Sequence, residues 1–522
     1  MAKPPQPRIE INLEEIYRIL DSARQQPMSE ANYEKVKTAV AALAERAAPR
    51  WRATERTDAV LPNQTPDKPS AKEPAAKGKS AKPGHGRNPG SAFTGADRVS
   101  VAHAMLQSGD TCPECLKGKV YRQKKPKTLI RVTGQPPLAA TAYELEQLRC
   151  NGCGQVFTAE APAEAAEKKY ADSAAAMIAQ LRYGSGVPFQ RLERLQANLG
   201  IPLPAATQWE VVQEKAESLR PALEELIRQA AQGEVAHNDD TSMRILKLAR
   251  EPAPEGKAER TGVFTSGIVS RVGAWFIALF FSGWKHAGEN LAEVLKQRAP
   301  GLQPLIQMCD ALSRNAPKLS EGVKLLLAYC LAHGRRQFVE VAASFPEQCR
   351  YVLETLGGVW HNDELARGQK LTPEERLAFH EEHSGPLMKS LKEWMEAQLA
   401  EHKVEPNSGL GKAIQYMLRH WMPLTLFLRE AGAPVDNNLV ERALKKAILH
   451  RKNSLFYKTE NGAEVGDLYM SLIHTCELNG VNSFDYLTEL MRHSEELKQN
   501  PSAWMPWNYR DTLARLATPA AA

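Results

Sequence analysis

Between residues 233 and 333 the chain adopts a pattern that few folds can satisfy. Three β-rich runs follow one another directly, EVAHND (234–239), TGVFTSGIVS (261–270) and AWFIALFFSG (274–283), with glycines at their edges. A helical stretch comes next, ENLAEVLKQR (289–298), then a fourth strand, PLIQMCD (304–310), and a further apolar run, VKLLLAYCLAH (323–333). Three sequential strands followed by helix and strand alternation predict a mixed sheet in an α/β domain.

That order gives meaning to three acids. Asp239 ends the first predicted strand and Asp310 ends the fourth. The carboxyl ends of strands in such a domain face one common crevice. The third acid, Glu441, sits in VDNNLVERALKKAILHRKN (435–453). The spacing predicts a helix with Arg442, Lys445, Lys446 and His450 along one side and Val440, Leu444, Ala447 and Ile448 on the other. Each acid has an ordinary reading: the aspartates as turn or cap residues, Glu441 in a capping box with Asn438 or an i,i+4 pair with Lys445. Taken with the order of the strands, they are expected to converge. Carboxylates brought together repel. Divalent cations remove that cost, and few hard oxygen donors suit Mg2+ or Mn2+. Two such ions would serve phosphodiester chemistry, and the bases beside Glu441 would grip a polyanion.

The remainder of the 522 residues divides by composition. Residues 1–49 predict a helical element, and 50–98 a flexible basic linker with ten Lys/Arg against five Asp/Glu between Arg50 and Arg98. Residues 99–160 carry two CxxC pairs, Cys112/Cys115 and Cys150/Cys153, which together offer the four thiolates of a structural zinc site. Residues 161–232 read as helix, turn at Gly200–Pro204, helix; this is helix-turn-helix grammar, with Gln208 of the second helix as a DNA-contact candidate beside Thr207, Gln213 and Lys215. The α/β core is expected over 233–456, interrupted by a helical insertion at about 338–429, and 457–522 forms a C-terminal helical region and tail. No window approaches the roughly 18 apolar residues of a membrane span, and the N-terminus lacks a signal peptide's apolar core. The cysteines are therefore expected in a reducing compartment.

From about Gly84 to Arg510 the chain resembles the transposases of insertion-sequence-66 type. The resemblance rests on the cysteine knuckles, HNDDT (237–241), YCLAHGRRQF (329–338), DNNLVERALKKAILHRKNSLFY (436–457), GDLYMSLIHTCELNGVNSFDYL (466–487) and MPWNY (505–509). It departs from the family after Asp310, where ALSRN replaces a glycine-tyrosine turn, and before Arg335 and Arg336, where a tryptophan is commoner. The resemblance implies an RNase H-like mixed-sheet core with a DDE triad of Asp239, Asp310 and Glu441 binding Mg2+ or Mn2+, and a structural Zn2+. Lys445, Lys446, Arg451, Lys452, Arg335 and Arg336 would hold phosphates. It also implies double-stranded DNA as partner (terminal inverted repeats and target), a homo-oligomer on DNA, small accessory proteins of the same element, and action in the bacterial cytoplasm. The products would be 3′-hydroxyl ends joined to target DNA. A DNA-binding regulator without catalysis, and a nuclease of the same core without strand transfer, are the alternative readings.

Overall fold

The first strand, β1 (Val235–Ser242), is buried along its first half, although its sequence VAHNDDTS is mostly polar. Its polar groups find partners instead of water. Asn238 Nδ2 donates to the Asn315 carbonyl at 2.9 Å, and Gln307 Nε2 donates to Asn238 Oδ1 at 2.8 Å. In this computed structural model, residues 60–61, 104–122, 137–149, 151, 156–162, 168–249, 260–319 and 323–518 are described. The expected N-terminal helices, most of the linker, Cys150 and Cys153 lie outside them.

These residues form two units, each described by itself. Among the described residues, the first draws on 60–61, 227–242 and 260–445. It contains β1, the long hairpin of β2 (Phe264–Val272) and β3 (Trp275–Gly283), helix α1 (Ala287–Leu295), β4 (Leu305–Cys309), β5 (Leu325–Tyr329) and α2 (Leu331–Val341). The sheet order is β3-β2-β1-β4-β5. Strand β2 pairs antiparallel with both β1 and β3, so β3, β4 and β5 all run parallel to β1. The sheet is therefore mixed, as the strand order in the sequence predicts.

The insertion follows as α3 (Pro346–Gly368), α4 (Pro373–His383), α5 (Gly385–Ala400) and α6 (Gly409–Arg419). Local signals explain these boundaries. Thr372 and Glu375 form a capping box before α4, with Glu375 N donating to Thr372 Oγ1 at 3.2 Å and Thr372 N to Glu375 Oε2 at 2.8 Å. The apolar faces of these helices extend the sheet's own core: Met308, Ala328, Leu331 and Phe338 belong to one cluster with Leu353, Leu356, Leu391 and Met417. Leu61 joins it, and Arg350 donates to its carbonyl at 3.1 Å. At Val60–Leu61, then, the chain is anchored rather than a free linker. Helix α7 (Asn438–Ser454) begins in this unit.

The second unit holds the described residues from 104 to 226, residues 243–249 and 446–518. Its core is helical. Tyr183 stacks on Tyr469 at 5.3 Å between ring centres, and the Tyr469 hydroxyl donates to the Val212 carbonyl at 2.9 Å. The expected αα-hairpin is present as Phe189–Asn198 and Ala205–Ala230. Gln147–Arg149 pairs antiparallel with Val156–Thr158. A single bridge between Thr111 and Lys119 encloses the first CxxC.

Candidate active site

Strand alternation separates two adjacent acids. Asp239 lies opposite Gly267 and Asp240 opposite Ser266. Paired residues share a face, and sequence neighbours take opposite faces. On the Asp240 face, Asn290 of α1 donates to the Ser266 hydroxyl at 2.8 Å. Asp240 is held there by His286 Nδ1 at 2.8 Å and by Arg314 at 3.3 Å. A cleft of about 800 Å³ opens on this side, with Phe264, Trp284, Lys285, Arg314 and Lys318 among its walls.

On the Asp239 face, α7 descends onto the sheet. A Cβ at Gly267 would lie 2.9 Å from Leu444 Cδ2 and 3.2 Å from Val440 Cγ2. Glycine is what permits this approach. The helical turn bearing Glu441 thus packs over the cross-strand neighbour of Asp239.

The pairs His237–Met308 and Met308–Ala328 align β1, β4 and β5. Two residues further on, Asp239, Asp310 and Cys330 stand in one row just beyond the parallel β1–β4 ladder, although β1 itself continues to Ser242. Asn315 Nδ2 donates to Asp239 Oδ1 at 3.3 Å and also to Asp310 Oδ1. One amide therefore serves both carboxylates. The residue is fixed from behind, because its backbone carbonyl accepts from Gln307 Nε2 at 2.7 Å as well as from Asn238 Nδ2. Gly288 lets α1 support this loop, since a Cβ there would meet the Ala316 carbonyl oxygen at 2.6 Å.

The electrostatics of the pair are unbalanced. Burial pushes Asp239 up to about 7; the charges of Asp310 and Asp240 add to the rise, and hydrogen bonds from the Asp240 N–H and Asn315 oppose it. Among the described residues no lysine or arginine pairs with Asp239 or Asp310. A buried pair of hard oxygen donors short of positive charge fits a divalent cation.

Glu441 takes neither of its ordinary roles. Asn438 Nδ2 donates to Asp436 Oδ2 at 2.7 Å, and among the described residues the Glu441 carboxylate has no hydrogen-bond or ion-pair partner. Donor atoms of Glu441, Cys330 and His333 lie within 4.8 Å of one another. Asn437, just before α7, braces this corner: its N–H reaches Cys330 Sγ at 3.2 Å, its Nδ2 donates to the Asn238 carbonyl at 3.2 Å, and its Oδ1 meets His237 Nδ1 at 3.1 Å. Burial lowers His237 to about 4, so its imidazole is neutral.

Several expected DNA contacts are placed otherwise. Gln208 is buried, and its amide donates to the carbonyls of Leu203 at 2.9 Å and Phe189 at 3.1 Å. It ties the turn between the helices and cannot reach a groove. Lys215 pairs with Asp172, and the exposed positions on that helix include Glu210, Glu214 and Glu217, a face that repels phosphate. Lys446 pairs with Glu477 at 2.9 Å and is largely covered. His450 leaves the basic side of α7: it is buried, stacks on Tyr457 at 4.1 Å and meets Arg182 at 2.8 Å, and burial with that guanidinium lowers it to about 3. Lys445 and Lys452 are exposed, and Arg335, Arg336 and Arg451 are half-buried.

Asn315, Cys330, His333, Asn437 and Gly267 complete the site without having been singled out from the sequence. Asn315 belongs to the ALSRN turn that departs from the family, and Cys330 and His333 to the YCLAHGRRQF run, which was valued for its arginines.

Residues 168–465 match the family described as "Transposase IS66 family". Three uncharacterized proteins of Sinorhizobium fredii (strain NBRC 101917 / NGR234) are similar. Protein y4jD is 34% identical over 207 residues, 38% of this chain and 39% of that protein. Protein y4hP is 24% identical over 437 residues, 80% of this chain and 77% of the relative. Protein y4qI is 25% identical over 348 residues, 64% and 62% of the two chains. This chain thus spans well under half of y4jD but most of y4hP.

Proposed function

Because this chain belongs to the IS66 transposase family, we propose that it binds the ends of a DNA element, cuts the DNA to leave a 3′-hydroxyl, and joins that end to target DNA. The observation that carries this reading is the shared amide: Asn315 donates to both Asp239 and Asp310, under the helix that presents Glu441. The sheet order β3-β2-β1-β4-β5, with β2 alone antiparallel to β1, supports an RNase H-like core.

Asp239, Asp310 and Glu441 would hold Mg2+ or Mn2+, and Asn315 would keep the two aspartates aimed at the same point. The bound cations would supply Lewis-acid activation of the attacking and leaving oxygens of the phosphodiester. Lys445 and Lys452, exposed on α7, would take phosphates, with Arg335, Arg336 and Arg451 partly available. Lys318 in the cleft beside Asp240, with Lys285 and Arg314 released from Glu293 and Asp240, would add phosphate contacts.

A structural Zn2+ on Cys112, Cys115, Cys150 and Cys153 is supported by the first knuckle. Gly118 N–H points at Cys115 Sγ at 3.4 Å, Cys112 N–H donates to the Gly118 carbonyl at 2.7 Å, and backbone N–H groups hold the Cys115 thiol below its usual pKa. Assembly as a homo-oligomer on DNA, help from small accessory proteins and action in a bacterial cytoplasm are parts of the same proposal. Among the described residues no helix is long and apolar enough to cross a membrane.

Supplying pre-cut ends with a free 3′-hydroxyl tests the reading. Joined products are expected from the parent chain and none from Asp239→Ala or Glu441→Ala, while gel shifts of element ends remain. Hydrolysis without joining would make the protein a nuclease; joining by Asp239→Ala would remove the triad.

A further inference from the structure

We infer that Cys330, His333 and Glu441 form a separate binding site for a borderline-soft divalent cation of the Zn2+ class, which shares Glu441 with the proposed Mg2+ ligands. The donor set is of a different kind from that of Asp239 and Asp310. It offers a thiol sulfur, an imidazole nitrogen and one carboxylate oxygen, with all three donor atoms within 4.8 Å of one another. A tetrahedral Zn2+ holds such donors about 3.3–3.6 Å apart, from bond lengths of about 2.0–2.3 Å. A contraction of at most about 1.2–1.5 Å closes the site, within reach of side-chain rotation.

The backbone prepares this geometry. Cys330 immediately precedes α2 and His333 lies in its first turn, with His333 N–H donating to the Cys330 carbonyl at 3.1 Å. Their i,i+3 spacing turns both side chains the same way. Leu331 N–H donates to the Val435 carbonyl at 3.1 Å, which fastens this turn to the segment leading into Glu441. The Cys330 sulfur already accepts the Asn437 N–H at 3.2 Å, which partly offsets the burial that pushes this thiol up to about 12. His333 Nδ1 is buried with no hydrogen-bond partner, and Glu441 has none either. A buried nitrogen left unpaired is costly unless something occupies its lone pair or proton. A cation supplies that partner, and the Cys330 thiol releases its proton to solvent on binding.

Sulfur and imidazole ligands select Zn2+ or Co2+ over Mg2+, whereas the oxygen pair at Asp239 and Asp310 does the reverse. Occupancy by Zn2+ engages Glu441, so Zn2+ is expected to inhibit the Mg2+-supported reaction; this consequence rests on the transposase reading, but the site itself does not. Co2+ is the probe, added to the full-length chain. The parent protein is expected to bind one more equivalent than Cys330→Ser, with a thiolate-to-cobalt charge-transfer band in their difference spectrum. His333→Gln should lose the same equivalent, and Asp239→Asn should keep it. Comparison against each variant cancels the contribution of Cys112, Cys115, Cys150 and Cys153, and matching thermal melts show that the variants fold. Equal Co2+ uptake and superimposable spectra for the parent, Cys330→Ser and His333→Gln would overturn the site. As a second readout, the ratio of strand transfer with and without added Zn2+ is taken within each protein. At least tenfold inhibition is expected of the parent and less than twofold of Cys330→Ser. Without any strand transfer the cobalt result still stands, so the two readings fail separately.

Discussion

The first unit buries two acidic centres that are opposites in how they are kept. Asp363, in the insertion, is surrounded by partners: the guanidiniums of Arg376 at 2.6 Å and Arg367 at 2.7 Å, and the His380 imidazole at 3.3 Å. Burial alone would raise its pKa, but His380, Arg376 and Arg367 outweigh that and hold it down at about 2. Asp239, in the sheet, has only the Asn315 amide, a backbone N–H and the like charges of its neighbours, and it rises to about 7. A charge matched by its own protein stabilises a fold. A charge left unmatched costs stability and is kept where something from outside completes it. This contrast separates the insertion's acids and histidines, which are structural at Asp363 and His380, from Asp239 and Asp310.

The largest effect should come from removing the unmatched charge. Asp239→Asn keeps the shape of the side chain and deletes the repulsion with Asp310. Strand transfer is expected to fall by about 10³-fold or more, at least as much as losing one transition-state donor. The melting temperature of the metal-free chain should hold or rise. A clear fall in stability would place Asp239 in the same class as Asp363 and break the contrast.

At Asp363 the outcome should invert. Asp363→Ala strands Arg376 and His380 in a covered site, and removing one partner of a buried pair costs about 3–5 kcal/mol. Urea denaturation should register that loss, and any loss of strand transfer should track the folded fraction. The same centre carries a pH signature. Its folded pKa of about 2 lies below the ordinary aspartate value of 3.8, so its contribution is complete above pH 4 and disappears as pH falls through 2. By linkage that contribution is about 2 kcal/mol. Denaturation midpoints of the parent and Asp363→Asn, compared between pH 5 and pH 2, should converge at the acid end. Parallel curves would mean that the ion cluster is not what lowers this carboxyl.

How much of this could be read from the sequence depends on the range of the interaction. The strands and the helix after the hairpin were legible because each rests on local periodicity, which also puts Asp239 on β1 and Asp310 directly after β4. Gln208 was misplaced because helical spacing alone does not reveal which face the turn carbonyls of Phe189 and Leu203 will claim. His450 failed for the same reason: its partners, Arg182 and Tyr457, come from other elements. The pairing of Ile245–Lys247 with Tyr457–Thr459 had no local signature at all. Cys330 and His333 were visible as residues, but their relation to Glu441 exists only once α7 has packed on the sheet.

Gly267 offers the smallest and most discriminating change, because it touches neither acid directly. In Gly267→Ala the new methyl would lie 2.9 Å from Leu444 Cδ2, 3.1 Å from its Cγ and 3.2 Å from Val440 Cγ2. These are side-chain ends, so α7 can yield by a few tenths of an ångström instead of unfolding. Overpacking of this kind costs about 1 kcal/mol, the low end of its usual range. Strand transfer should nevertheless fall about tenfold, since displacing Glu441 relative to Asp239 impairs their joint geometry more than it impairs the fold. Adding Leu444→Ala makes room for the methyl and should recover most of the activity, although that truncation destabilises the core on its own account. Recovery of rate against a further loss of stability is a result that simple unfolding cannot produce. Failure of Leu444→Ala to rescue would mean that the spacing between α7 and β2 does not set the position of Glu441.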